Sequence, residues 1–80
     1  MARYYFDLRD DDGVTLDDEG MELGSLRRVQ EAAARSLADM VRDAANKLDG
    51  RGAQKMAVEV RDNDGPLIQV TFTYELSRLQ

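Results

Sequence analysis

The side chains that could do chemistry in this chain are carboxylates and arginines, because its 80 residues include neither histidine nor cysteine. Imidazole proton shuttles, thiolate nucleophiles and Cys/His metal sites are therefore unavailable. Ser25, Ser36 and Ser77 stand outside any nucleophile-elbow pattern, and no glycine-rich phosphate cradle follows a strand-like run. Paired carboxylates can act as acid and base, but here they fall in stretches that read as solvated turns. No catalytic residue and no cofactor are assigned, and a small enzyme ranks third among the functional readings.

Metal binding is the sharper candidate. Asp10, Asp12, Gly13 and Glu19 occupy the third, fifth, sixth and twelfth places of an EF-hand loop. The first place, which should be a carboxylate, is Leu8, and a strand-like run precedes it instead of a helix. The same spacing recurs downstream at Asp62-x-Asp64-Gly65, where the twelfth place is Thr71. The pattern is better read as a turn recipe used twice. Asp10, Asp12 and Glu19 stay as weak ligands of a divalent ion, which makes a cation-responsive acidic module the runner-up.

Arg28, Arg35 and Arg42 recur every seven residues and align on one helical face. Glu31, Asp39 and Asp43 lie three or four places before Arg35, Arg42 and Lys47, so the stripe largely neutralises itself. The net charge of −5 is concentrated in residues 1–24, with eight acids against two bases. Such a surface repels phosphate backbones. Tyr5 is a lone stacking candidate, weaker than a paired-aromatic RNA platform. A nucleic-acid partner is not expected. No run approaches a membrane span and the opening Met1-Ala2-Arg3-Tyr4 carries no apolar leader, so the expected setting is the cytoplasm.

These residues must be positioned by one long amphipathic segment. Leu26, Val29, Ala33, Leu37, Met40/Val41, Ala44 and Leu48 repeat at steps of three and four, which predicts a helix over 25–49. Ser25 is its expected N-cap and Gly50 its left-handed end. Two strand-like blocks flank it. In the first, Tyr4, Phe6 and Leu8 alternate with Arg3, Tyr5, Asp7 and Arg9, and Val14-Thr15-Leu16 makes a short return. In the second, Met56, Val58 and Val60 turn inward, followed by Ile68, Val70, Phe72 and Tyr74.

Phe6-Asp7-Leu8-Arg9-Asp10-x-Asp12-Gly13 matches Val58-Glu59-Val60-Arg61-Asp62-x-Asp64-Gly65 in type and place. Side-chain parity predicts that Leu8 faces Leu16 and Val60 faces Ile68, through a type I turn closed by a glycine at positive φ. Asp10 and Asp62 should then accept turn amides. The expected fold is an α+β two-layer sandwich, β-β-α-β-β, over 1–80 with a frayed tail at 77–80. Its antiparallel four-stranded sheet, in the order 2-1-3-4, carries the helix on one face. The other face should present Tyr5, Asp7, Thr15, Ala57, Glu59, Leu67, Gln69, Thr71 and Thr73.

Arg3-Tyr4-Tyr5-Phe6-Asp7-Leu8-Arg9-Asp10, Asp12-Gly13, Asp17-x-Glu19-Gly20-Met21-Glu22-Leu23, the Ala-rich helix and the second Asp-x-Asp-Gly block resemble a family of small alphaproteobacterial domains of unknown function. The resemblance implies no catalytic residue. It departs at the helix start, where Gly24-Ser25 and the pair Arg27-Arg28 replace the family's Pro-Asp and acidic residue. Two positive charges at a helix N-terminus are unfavourable by about 0.3–1 kcal/mol each. The leading expectation is a non-catalytic protein–protein interaction module, with a protein partner or self-association. Its candidate contact residues are Tyr5, Arg27, Arg28, Gln69 and Thr71.

Overall fold

A computed structural model describes residues 2–47 and 52–80. The chain runs β1 (Ala2–Asp10), β2 (Gly13–Thr15), β3 (Met21–Leu23), α1 (Leu26–Ala45), β4 (Ala53–Asp62) and β5 (Gly65–Glu75). The fold is α+β, an antiparallel sheet with one helix packed on one face. The sheet is ordered β2-β1-β4-β5, and β3 also pairs with β1. Five strands therefore replace the expected four, and the order 2-1-3-4 lacked this added member. The short run Met21-Glu22-Leu23, expected only as an apolar lead-in to the helix, is a strand along the first half of β1: Ala2 faces Leu23, and Tyr4 faces Met21.

Ser25 caps α1 as its sequence dictates, its Oγ accepting from the Arg28 N–H at 3.2 Å. The helix ends at Ala45, with Asn46 as its C-cap, because asparagine is a weak helix former and the Lys47 N–H turns back to the Ala44 carbonyl at 3.1 Å. It is thus shorter than the 25–49 expected; Leu48, the Gly50 terminus and Arg51 lie outside the described residues. Val29 and Ala33 are fully buried against Phe6, Val58 and Val60, with Leu37 and Met40 packed at the margin. Leu26, assigned to the same stripe, is half-exposed at the first helical residue.

The two hairpins share a turn but not a register. Asp10 accepts the Asp12 N–H, and Asp62 the Asp64 N–H, each at 2.8 Å, as the Asp-x-Asp pattern requires. Gly13 and Gly65 follow at φ of 142° and 121°, both positive as expected. In the second hairpin Arg61 faces Pro66 while Val60 faces Ile68, so a bulge absorbs Leu67 and restores the expected pairing. Pro66 has no N–H for the ladder, which suits it to that irregular place. The first hairpin has no such bulge: Leu8 faces Thr15, not Leu16. Thr15 consequently turns to the helix side, Val14 lies on the open face opposite Arg9, and Leu16 is left exposed beyond the strand.

A candidate interaction edge

The open sheet face is occupied by its own charges where β1 and β4 run together. Arg9 makes a two-pronged pair with Glu59, at 3.1 and 3.2 Å. Arg61 donates to Asp7 at 2.9 Å and to the Asp17 carbonyl at 2.9 Å, and its guanidinium lies 4.6 Å above the Tyr5 ring. Asp7, expected on an exposed face, is buried because Arg61 and the backbone of Asp17 close over it. The Asp17 N–H donates to Asp7 at 2.9 Å. Tyr5 is likewise half-buried beneath Arg61.

Asp17, noted in the sequence only within the Asp17-x-Glu19-Gly20 motif and as one of the acids around the first hairpin, is the centre of this knot. Its carboxylate accepts the N–H groups of Phe6, Glu19 and Gly20, each at 3.1 Å. Burial pushes its pKa up, but those three amides and the Arg61 charge outweigh burial and leave it below its ordinary value. The Asp7 hydrogen bond holds the Arg61 guanidinium still more firmly protonated than usual. The Asp17 carboxylate thus supplies a ladder acceptor for β1 where the neighbouring strand departs into the loop between β2 and β3. The sequence signal was Asp17-x-Glu19-Gly20, a small carboxylate followed by a glycine that takes φ of +75°.

The Asp11 carboxylate accepts the Lys55 N–H at 3.4 Å, and the Glu19 carbonyl accepts from Arg3. Arg3 and Asp10 stand at opposite ends of β1, seven residues apart and so separated by about 24 Å at strand rise. Glu19 is therefore held at the far end of the sheet from Asp10 and Asp12. Among the described residues, no three Asp, Glu, His or Cys side chains converge as a metal site.

On the helix, Arg27 pairs with Glu31 at 3.4 Å and Arg42 with Asp39 at 3.1 Å. Arg27 is 88% exposed, and no acid occupies the first turn beside it and Arg28. Among the described residues, Arg28 and Arg35 form no ion pair. These arginines lie in a different layer from the other candidates.

Gln69 and Thr71 are brought together on the open face of β5, where the Gln69 amide donates to the Thr71 hydroxyl at 3.1 Å. Two strand intervals, about 10 Å, separate them from Tyr5 on β1. Their strand is the outer one. Among the described residues nothing pairs with the far side of β5, so half of its backbone groups face outward without a sheet partner. From Pro66 to Tyr74 it carries no charged side chain. The opposite edge differs: it is cut into β2 and β3, three residues each, with Asp17 plugging the gap. The expected order 2-1-3-4 likewise put the last strand at an edge.

One helix cannot cover a sheet of this width. An α-helix is about 10 Å across and strands are about 4.8 Å apart, so roughly two strands are shielded. Ile68, Val70, Phe72 and Tyr74 face the helix yet remain half-exposed. An apolar cleft of about 70 Å³ runs beside them, lined by Val41, Ala44, Met56, Phe72 and Tyr74. A wider groove of about 400 Å³, with Leu16, Met21 and Ala32 in its walls, flanks the helix on the β2–β3 side.

No helix among the described residues is long and apolar enough to cross a membrane. Neither a curated protein nor a solved structure matches the chain. A family model does, over residues 3–73, from the Arg-Tyr-Tyr-Phe opening through most of β5. The chain belongs to DUF6894, a domain of unknown function.

Proposed function

We propose that the protein is a non-catalytic interaction module of the alphaproteobacterial cytoplasm, and that it engages protein through the outer edge of β5. One observation carries this reading: an eleven-residue strand with a free edge and no charge between Pro66 and Tyr74. Natural sheets guard such edges with lysine, bulges, proline or short strands. Here the bulge and Pro66 guard only the first turn-side residues, and the stretch beyond Leu67 is open. An extended segment added to it would gain main-chain hydrogen bonds, with Gln69, Thr71 and Thr73 on one face and Ile68, Val70 and Phe72 on the other. The Asp10 and Asp11 carboxylates are engaged with the Asp12 and Lys55 amides, which supports a structural use for them.

The test is affinity capture from an alphaproteobacterial lysate with the intact chain and a Thr71→Lys variant as bait. Lysine at Thr71 adds an edge guard at an exposed position. A protein retained by the wild type and lost with T71K is the expected result. Equal retention by both, combined with loss in an Arg27→Glu/Arg28→Glu variant, would move the contact surface to the helix start.

A further inference from the structure

We infer that the occupant of the β5 edge is a second copy of this chain, paired antiparallel about a two-fold axis through Val70; this rests on the edge reading above and names its partner. Symmetry sets the first condition. A two-fold dimer of antiparallel strands must oppose residues of the same parity, so that both helices fall on one face of a continuous sheet. β5 satisfies it: every even residue from Ile68 to Tyr74 is apolar or aromatic and faces the helix layer.

Val70 is the midpoint of the uncharged run Pro66–Tyr74. Pairing about it places Ile68 opposite the partner's Phe72, a β-branched residue against an aromatic one. On the open face Gln69 meets the partner's Thr71, the same two side chains that bond each other within one strand. A self-pairing strand meets its own charges, so the lack of any from Pro66 to Tyr74 favours a copy of itself over a charged peptide.

The helix layer gives the second condition. Across such a seam, β4 and the partner's β4 stand three strand intervals apart, about 14 Å. Packed helices stand about 8–10 Å apart, with large side chains widening the gap. The half-exposed rings of Phe72 and Tyr74 and the cleft beside Val41 lie in that gap. Pro66 and the Leu67 bulge oppose the partner's Tyr74 and Thr73, so the ladder open on both copies runs from Ile68 to Phe72, about 17 Å long, and buries roughly 550 Å² in total. That is below the standard size of specific interfaces, so the pair is a weak one that forms at high protein concentration.

Sedimentation velocity of the intact chain from about 10 µM to 1 mM tests this. The expected result is a reversible shift from 9.0 kDa to twice that mass. T71K, with its circular dichroism unchanged, should raise the dissociation constant at least about tenfold, since each lysine stands near its symmetry mate. Gln69→Lys is the second variant should T71K fold poorly. A wild type that stays monomeric at 1 mM overturns the self-pairing, and a dimer that both variants leave intact overturns β5 as its seam. Monomeric wild type whose captured protein is still lost with T71K would leave the edge reading standing alone.

Discussion

At the scale of single residues, Asp17 is the least replaceable polar side chain of this chain. Three backbone amides and the Arg61 charge converge on it, and its own N–H reaches Asp7. Its pKa is lowered by folding, so the stability it contributes is fully present above the unfolded value near 3.8 and is lost as pH falls through the lower folded value. Asp17→Asn should therefore flatten the fall in melting temperature at acid pH. Asp17→Ala should cost about 1–3 kcal/mol at neutral pH, read by urea denaturation, because it strips acceptors from partly buried amides. An unaltered acid limb in D17N would contradict the assignment. Arg61 stays protonated across the accessible range and adds no slope of its own.

The glycines next to these residues separate two costs. A Cβ at Gly20 would meet Tyr5 Cε1 at 2.8 Å and the Tyr4 carbonyl at 3.0 Å, on top of a φ of +75°. At Gly13 and Gly65 the φ values are also positive, but the space around a Cβ is open. Gly13→Ala and Gly65→Ala should each lose about 1 kcal/mol from backbone strain alone. Gly20→Ala should lose more than either, since the Tyr5 ring is pinned under Arg61 and cannot yield freely. Equal losses at all three sites in chemical denaturation would contradict the packing around Gly20.

At the scale of elements, the helix and the long strands were legible because their patterns are long. Six turns of three-and-four spacing, and the alternation of Tyr4, Phe6 and Leu8, leave little choice of buried face. The Asp-x-Asp-Gly recipe likewise announced its turns, and both aspartates accept the amides their positions imply. Register was less legible. Parity placed Val60 opposite Ile68 correctly, but through a bulge at Leu67 that the pattern does not encode. At the first hairpin parity failed, because Leu16 is drawn out of the strand by the Asp17 loop instead of being held against Leu8. β3 was missed because three residues carry too short an alternation to stand out.

The same loop bears on the cation reading. The Asp10 carboxylate binds the Asp12 N–H, and the Glu19 carbonyl is tied to Arg3 at the other end of β1. Millimolar calcium or magnesium should therefore shift the melting temperature no more than sodium at equal ionic strength. A site filled at 100 times its dissociation constant would add about 2.7 kcal/mol, a change easily read in a domain this small. A saturable calcium shift at Asp10, Asp12 and Glu19, absent in sodium, would contradict the structural role given to these acids.

At the scale of the whole molecule, the shape itself is open. The radius of gyration is 14.3 Å, against about 12 Å for a compact chain of this length, and the longest extent is 52 Å. Among the described residues the largest fully buried side chains are three valines, Val29, Val58 and Val60. A core so small beneath a single helix leaves apolar margins along both sides of the helix, and among the described residues only the β5 side continues into a free, uncharged strand edge. The candidate contacts Gln69 and Thr71 were visible in the sequence as an exposed polar row. Their position on the outermost strand agrees with the end place that the order 2-1-3-4 gave the last strand, whereas the engagement of Tyr5 under Arg61 depends on side-chain packing that the pattern does not encode.

Amide hydrogen exchange along β5, in dilute protein and again with its partner bound, tests the central claim most directly. Under the self-pairing inference the partner is the same chain at high concentration. Edge pairing predicts that alternate amides between Pro66 and Glu75, those facing away from β4, become protected by about tenfold or more, while the inward amides change little. Protection that appears along α1 or the β2–β3 edge, with β5 unchanged, would contradict it.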